Sequence, residues 1–199
     1  YFGYSVSISS DGTTAIVGAV WDDDNGTNSG SAYIYKLDGG VWQETKLLAS
    51  DGASSDQFGV SISISKDGGT AIVGAYGDDD NGTYSGSAYI YKLVGDVWQE
   101  TKLLASDMAK YDQFATCISI SSNGTTALVG ADGDDDNGSC SGSAYIYSLV
   151  KGIWQETKLL ASDGTSSDYF GYSVSISSGG TTAIVGARYD DDNGSSSGS

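Results

Sequence analysis

The residues with the clearest chemical potential are three consecutive aspartates that occur four times in the chain. Each group precedes an Asn-Gly pair, as in Asp78-Asp79-Asp80-Asn81-Gly82. Neighbouring carboxylates about 6 Å apart repel by roughly 0.7 kcal/mol in water, so a nearby cation would relieve the crowding. Calcium prefers carboxylate, amide and carbonyl oxygens. We therefore predict weak calcium sites at the first and third aspartates of each group: Asp22 and Asp24, Asp78 and Asp80, Asp134 and Asp136, and Asp190 and Asp192.

The same loops allow two other interpretations. Aspartates on an exposed turn can simply be solvated and keep the protein in solution. Asn-Gly followed by Thr or Ser is also an acceptor pattern for N-glycosylation in a eukaryotic secretory route, although Asn-Gly is equally a favoured turn pair. The glycosylation candidates are Asn25, Asn81, Asn123, Asn137 and Asn193.

The composition limits which functions the chain can have. Its 199 residues include 9 Lys and Arg against 26 Asp and Glu, for a formal charge of −17, and no His. Such a charge repels phosphate backbones, so we expect no nucleic-acid partner, and no apolar run is long enough for membrane insertion. The commonest general base is missing, and a catalytic carboxylate pair is normally unique rather than repeated. We therefore expect the chain not to be an enzyme.

The elements that position the aspartates follow a repeat of 56 residues, seen in the spacing of Phe2, Phe58, Phe114 and Phe170. A fixed period of this length indicates a solenoid, a propeller or an array. We treat the chain as a single segment, 1–199, that consists of four units. Units 1 to 4 span residues 1–56, 57–112, 113–168 and 169–199, and the last unit is incomplete.

Each complete unit contains four strand-like runs, which in unit 1 are 4–9, 14–19, 32–37 and 41–48. The first alternates apolar residues with serine, and the second is continuously apolar, as in a strand covered on both faces. Gly- and Asn-rich turns separate the runs. We expect the third-strand tyrosines to pack between blades, where aromatic rings bury much area, with a sugar-binding surface as the alternative. These tyrosines are Tyr33, Tyr35, Tyr89, Tyr91, Tyr145 and Tyr147.

Four short antiparallel strands per repeat predict an all-β fold, a β-propeller of four-stranded blades, with a β-helix as the alternative. The recurring Phe-Gly and Val-Gly-Ala phrases resemble the FG-GAP repeat of integrin α-subunit propellers and many extracellular bacterial and algal proteins. They stand at Phe2-Gly3 with Val17-Gly18-Ala19, Phe58-Gly59 with Val73-Gly74-Ala75, and Phe170-Gly171 with Val185-Gly186-Ala187. Unit 3 departs with Phe114-Ala115. The resemblance implies about 3.5 blades of a seven-bladed propeller.

The resemblance also implies a calcium loop between the first and second strands, of the form Asp-x-Asp-x-Asp-Gly. Here that loop keeps at most one carboxylate, Asp11 in unit 1 and Asp67 in unit 2, with Asn123 and Gly179 at the corresponding positions. Calcium needs six to eight oxygens. The calcium ligands of the family therefore do not carry over, and we expect a plain tight turn.

The acid gathers instead on one rim of the predicted propeller. In an up-and-down blade, the loop between strands two and three lies on the same face as the connector from strand four to the next unit. The connectors add Asp51 and Asp56, Asp107 and Asp112, and Asp163 and Asp168. We call these loops and connectors the acidic rim. We expect the fourth-strand lysines, Lys46, Lys102 and Lys158, to lie away from it.

Two cysteines, Cys117 and Cys140, occur only in unit 3, where the other units have Ser, Asn or Tyr. Their joint appearance in one unit predicts a disulfide and an oxidising compartment, with two unrelated thiols as the alternative. Together these features predict an extracellular structural or adhesive scaffold. Its partners would be extracellular or cell-surface proteins, glycans or copies of itself. The alternative is a calcium- or glycan-dependent binding module.

Overall fold

The chain folds into consecutive antiparallel sheets that follow the predicted units. The structure is a computed structural model, and it describes residues 1–192 and 194–199. Within those residues, three sheets have four strands in chain order and a last sheet has two. The all-β propeller prediction is confirmed: each complete unit is one blade, and the blades do not close into a ring. The described residues contain no helix that could cross a membrane.

Fourteen strands form these sheets within the described residues. Unit 1 contains β1 (Phe2–Ile8), β2 (Thr14–Ala19), β3 (Ser31–Asp38) and β4 (Val41–Leu47). Unit 2 contains β5 (Ile62–Ile64), β6 (Thr70–Ala75), β7 (Ser87–Val94) and β8 (Val97–Leu103). Unit 3 contains β9 (Ile118–Ile120), β10 (Thr126–Ala131), β11 (Ser143–Val150) and β12 (Ile153–Leu159). Unit 4 contains β13 (Phe170–Ile176) and β14 (Ala183–Ala187).

Adjacent blades bury two complementary faces against each other. We call one the leading face; in unit 2 it includes Phe58 and Tyr89, which are both fully buried. We call the other the trailing face; in unit 1 it includes Ile16 and Ile34, which pack against that leading face. The rings of Phe58 and Tyr89 meet edge to face, with centroids 5.3 Å apart. The prediction that the third-strand tyrosines pack between blades is confirmed for Tyr89, Tyr91, Tyr145 and Tyr147, which are buried, whereas Tyr33 and Tyr35 lie on the uncovered face of unit 1.

The glycine of each Val-Gly-Ala phrase allows the blades to approach closely. A Cβ added to Gly18 would lie 2.1 Å from the carbonyl oxygen of Gly59, and one added to Gly74 would lie 2.3 Å from that of Ala115. The Ser5 hydroxyl donates to the same Gly59 oxygen at 2.7 Å. Small side chains are therefore required at these positions.

The leading face of unit 1 is open, whereas the same face of unit 2 is covered. Phe2 is 62% exposed and Val6 is 70% exposed, while their equivalents Phe58 and Ile62 are 0% and 9% exposed. Since the sequences of the two units are nearly identical, this contrast isolates the contribution of a neighbouring blade to burial.

Candidate functional site

The aspartate loops and the connectors lie on one side of the sheets, so the acidic rim exists as predicted. The connector after unit 1 follows the aspartate loop of that unit, since Ser55 N donates to Thr27 O and Phe58 N to Ser29 O, both at 2.9 Å. At its beginning, the connector also reaches unit 2, where Asp51 Oδ1 lies 2.9 Å from the Tyr89 hydroxyl. Each connector therefore joins the rims of two units.

The three aspartates of one loop have different roles, illustrated by unit 2. Asp78 is buried, and its Oδ1 accepts the backbone N–H of Asp80 at 3.0 Å. Asp79 is exposed, and its Oδ1 accepts the backbone N–H of Tyr84 at 2.8 Å. Asp80 is exposed, and its carboxylate lies close to the carboxylate of Asp78. Only the first and third carboxylates therefore converge.

A lysine lies between the converging carboxylates. In unit 2, Lys102 Nζ is 2.7 Å from Asp51, 2.9 Å from Asp78 and 2.6 Å from Asp80. The arrangement recurs in unit 3, where Lys158 contacts Asp107, Asp134 and Asp136 at 2.7 to 2.8 Å. In unit 1, Lys46 pairs with Asp22 and Asp24.

The prediction that these lysines lie away from the acidic rim is therefore wrong. The fourth strand ends where the connector begins, so its last residues lie at the rim. Lys102 is the second-last residue of β8 and is opposite Tyr89 in register. Its Nζ lies 5.2 Å from the centroid of the Tyr89 ring, and the Tyr89 hydroxyl is 2.9 Å from Asp78. The positive charge that the aspartates require comes from within the chain.

The electrostatics of the cluster keep it charged. Burial alone would lower the pKa of Lys102, but hydrogen bonds to Asp51, Asp80 and Asp78 outweigh it and raise the pKa above its ordinary value. Burial alone would likewise raise the pKa of Asp22, but Lys46 and neighbouring hydroxyls lower it to about 2. An ammonium thus stays on each lysine through the physiological range.

Within the described residues, two acidic groups on the rim could hold a metal ion. Carboxylate oxygens of Asp51, Asp78 and Asp80 lie within 4.8 Å of one another, and so do those of Asp107, Asp134 and Asp136. The structure thus brings together the predicted pairs in units 2 and 3, and it adds the connector aspartates that the pairs lacked. A metal ion would have to displace the lysine ammonium from the same oxygens.

The remaining predicted pairs differ in their surroundings. Asp22 and Asp24 share Lys46 without a connector aspartate. Asp190 Oδ1 accepts the backbone N–H of Asp192 at 3.0 Å, and neither residue pairs with a lysine within the described part of the chain.

The turn between the first and second strands does not fit calcium. In unit 1, Asp11 Oδ1 accepts hydrogen bonds from Ser9 Oγ, Thr13 N and Thr13 Oγ at 2.6 to 3.0 Å. These bonds lower the pKa of Asp11 to about 2, with the Ser9 bond contributing most. Asn123 accepts the same set of bonds in unit 3. One oxygen of the loop's single carboxylate is thus used in closing a tight turn.

Connector carboxyls Asp56 and Asp112 are buried and have a raised pKa. Burial is the main cause, and each pKa rises to about 6. Around Asp56, the charges of Asp78 and Asp79 raise the pKa further, while the Ala53 N–H and Lys102 oppose the rise.

This shift predicts a stability maximum on the acidic side of neutrality. Because the folded pKa of Asp56 and Asp112 exceeds the unfolded value, their protonation stabilises the fold, and that contribution is lost as pH rises through 6. Lowering the pH from 7.5 to 5 should add about 1 kcal/mol of stability per carboxyl. Below about pH 4 the lowered pKa of Asp22 and similar groups reverses the trend. Thermal melting against pH measures it; an Asp56→Asn, Asp112→Asn variant that keeps the same slope would contradict it.

The cysteines do not form the predicted bridge in this structure. Cys117 and Cys140, both within the described residues, are free and half-buried. Burial raises the pKa of the Cys117 thiol, which lies against the backbone of Val174 in the next unit. Cys140 instead lies beside Tyr169, and this neighbour raises the pKa of Tyr169. The two thiols thus have different neighbours.

The glycosylation candidates lie on exposed turns where they are described. Asn25, Asn81, Asn123 and Asn137 are exposed, and Asn193 lies outside the described residues. The side-chain amides of Asn25 and Asn137 donate to the connector carbonyls of Ala49 and Ala161 at 3.1 and 3.3 Å.

Solved structures similar to this one are β-propellers of longer chains. The periplasmic gluconolactonase of Pseudomonas aeruginosa aligns with a TM-score of 0.54 and 13% identity, over 93% of this chain and 50% of that one. A protein named TolB from Agrobacterium tumefaciens aligns with a TM-score of 0.53 and 15% identity, over 94% of this chain and 54% of that one. This chain spans about half the length of either protein, and at these identities the likeness concerns the fold.

The first of these similarities corrects the prediction that the chain is not an enzyme. That prediction was based on the missing histidine and on the repetition of the aspartates. The gluconolactonase is an enzyme by name and has the same type of propeller. It is therefore wrong to exclude catalysis because the aspartates are repeated and histidine is missing.

The sequence itself matches a repeat family along nearly its whole length. None of the curated proteins matches the chain. The pattern described as the FG-GAP repeat matches residues 1–35, 42–91, 98–147 and 154–199, in step with the 56-residue period. The matches 42–91 and 98–147 each begin in the fourth strand of one blade and end in the third strand of the next. The chain belongs to the FG-GAP repeat family.

Proposed function

We propose that this chain is a propeller scaffold of an exported protein, and that it acts outside the cytoplasm as a structural or adhesive module. The acidic rim is its contact face. The observation that carries this proposal is the repetition of an exposed carboxylate beside each lysine cluster. Asp23, Asp79 and Asp135 are exposed and pair with no lysine within the described residues. They give successive blades the same outward charge.

The interior supports the same interpretation. The residues that pack blade against blade hardly vary between units, so the rim is presented at regular intervals on a rigid frame. Regular spacing suits repeated contacts with a partner, because linked weak contacts gain affinity through effective concentration. Extracellular or cell-surface proteins and glycans, or further copies of the chain, would be the partners.

Export is supported by two likenesses and has a direct test. One propeller of similar fold is periplasmic by name. The FG-GAP repeats of this chain also resemble those of extracellular propellers. Protease treatment of cells of the source organism, after removal of any outer membrane or wall, should digest the chain while a cytoplasmic marker survives. Equal survival of both proteins would contradict the proposal. In a eukaryotic route, a glycosidase-dependent mass shift would reveal glycans at exposed acceptors such as Asn25, Asn81 and Asn137.

The second candidate function is a calcium-dependent binding module, favoured by the convergence of Asp51, Asp78 and Asp80. Lys102 already lies within hydrogen-bond distance of all three carboxylates. We therefore expect the melting midpoint to be the same in calcium and in chelator at fixed ionic strength. A calcium ion at 100 times its dissociation constant would add about 2.7 kcal/mol of stability. A midpoint several degrees higher in calcium would favour this second function over the first.

A further inference from the structure

The units differ most at two positions, and both lie on the acidic rim. Only these positions hold a different residue in every unit. They are Val20, Tyr76, Asp132 and Arg188, and Asn28, Tyr84, Cys140 and Ser196. Packing restricts the residues between blades, whereas the loop positions of the rim vary between units, although Val20 and Asp132 are buried. Unit-specific residues that meet on the rim are therefore candidates for a specific contact.

At the junction of units 2 and 3, three unit-specific tyrosines form one stack. The ring centroids of Tyr76 and Tyr84 are 6.1 Å apart with an interplanar angle of 28°. Those of Tyr84 and Tyr111 are 6.4 Å apart at 20°. Tyr111 is 54% exposed, so much of the last ring faces solvent. The stack therefore ends in an accessible aromatic surface on the rim.

The loop geometry does not require an aromatic residue at the end of this stack. Tyr111 has a φ of 71°, and its equivalents Ser55 and Ser167 have φ values of 75° and 72°. The same backbone thus forms with serine in the other units. The exposed ring is an addition to the connector that its folding does not explain.

Other tyrosines of this chain show which group such a ring attracts. Lys102 Nζ lies 5.2 Å from the Tyr89 centroid, and equivalent contacts occur in units 1 and 3. Arg188, at the position of Tyr76, has its guanidinium 4.7 Å from the centroids of both Tyr172 and Tyr189. Within the described residues, no cation lies over Tyr111 in this way.

A carboxylate lies at the backbone of Tyr84, the middle tyrosine of the stack. Asp79 accepts the backbone N–H of Tyr84 at 2.8 Å and is exposed, and it forms no ion pair within the described residues. A guanidinium can stack on a tyrosine face and also donate to a carboxylate, which an ammonium does less well. The chain carries a formal charge of −17, which attracts basic partners over a distance.

We propose that the Tyr76–Tyr84–Tyr111 stack and Asp79 form a docking point for an arginine side chain of a basic partner protein. The inference rests on the proposed function, because it names the chemistry of the partner that the acidic rim contacts. It assigns a unit-specific contact to a rim that is otherwise repeated.

The test uses a fluorescein-labelled peptide of alternating arginine and glycine, and the same peptide with citrulline, the neutral isostere of arginine. Fluorescence anisotropy is measured near 0.15 M salt, where distant charges are screened. We expect the arginine peptide to bind more tightly than the citrulline peptide. Replacing Tyr84→Asn and Tyr111→Ser, which restores the residues of unit 1, should weaken the arginine peptide about fivefold or more.

Two matched variants separate the contributions. Tyr111→Phe keeps the aromatic face and should bind as the unchanged chain does, whereas Asp79→Asn should weaken binding. Melting curves check that each variant folds. Equal binding by the unchanged chain and the Tyr84→Asn, Tyr111→Ser variant, or equal binding of both peptides, would overturn the proposal. Failure of export would defeat the proposed function without changing this binding result, so the two can be told apart.

Discussion

Replacing Phe58 with alanine should lower the free energy of unfolding by about 3–5 kcal/mol. The side chain is fully buried between units 1 and 2, with its ring edge-on to Tyr89 and Tyr91. The space left behind cannot collapse easily, because the glycine contacts already hold the sheets at their closest approach. Urea or thermal unfolding, followed by circular dichroism, measures the loss.

Phe2→Ala is the matched control for this prediction. Phe2 has the same edge-on contacts within its own unit, with Tyr33 at 5.3 Å and Tyr35 at 6.4 Å. It lacks a neighbouring blade and is 62% exposed, so its replacement should cost less than about 1 kcal/mol. Similar losses for both variants would mean that contacts within a blade, rather than packing between blades, hold the phenylalanine.

The sequence predicts the blades well because their signals are local and repeated. The run Thr14–Ala19 appears as β2 without a shift, and its equivalents form β6 and β10. The first strand is less regular. Phe58 and Phe114 form isolated parallel bridges with Gly30 and Gly86 of the preceding unit, and β5 and β9 are short, whereas Phe170 forms the same bridge with Gly142 at the start of the longer β13. Such bridges depend on the neighbouring blade, which a single unit's pattern does not contain.

The acidic rim is predictable from topology, whereas the tyrosine stack is not. Strand order alone places the aspartate loops and connectors on one side. The stack instead depends on the left-handed backbone of Tyr84 and Tyr111, with φ values of 54° and 71°. These residues are distant in sequence from each other and from Tyr76, so their spacing gives no signal. The sequence hints at the stack only through variation between units: positions 20 and 28 differ in every unit, and Tyr111 replaces the serine of units 1 and 3.

The position of the lysines is predictable from the sequence. Lys46 lies at the end of the fourth strand, four residues before the connector residue Ser50. A strand that ends at the rim must place its last side chains there. A prediction from charge alone ignores the direction of the fourth strand. It therefore places each lysine away from the aspartates that it contacts.

Replacing Lys102 with methionine should cost about 3–5 kcal/mol, because it leaves a buried carboxylate without its partner. The Asp78 side chain is only 4% exposed, and Lys102 is its ion-pair partner among the described residues. Methionine keeps the length and apolar packing of the stem, so the loss reports the ammonium. Lys46→Met is the control, because Asp22 is 19% exposed and no connector aspartate joins that cluster; its loss should be clearly smaller.

The same variant should gain a response to calcium. Without the ammonium, the oxygens of Asp51, Asp78 and Asp80, within 4.8 Å of one another, are left to a divalent cation. Millimolar calcium, the range of weak extracellular sites, should therefore raise the melting midpoint of Lys102→Met by several degrees at fixed ionic strength and leave the unchanged chain unaffected. A variant that is destabilised yet indifferent to calcium would show that these oxygens need the geometry of an ammonium. A variant as stable as the unchanged chain would show that the buried carboxylates do not depend on the lysine. Interactions other than the internal ion pairs would then stabilise the rim.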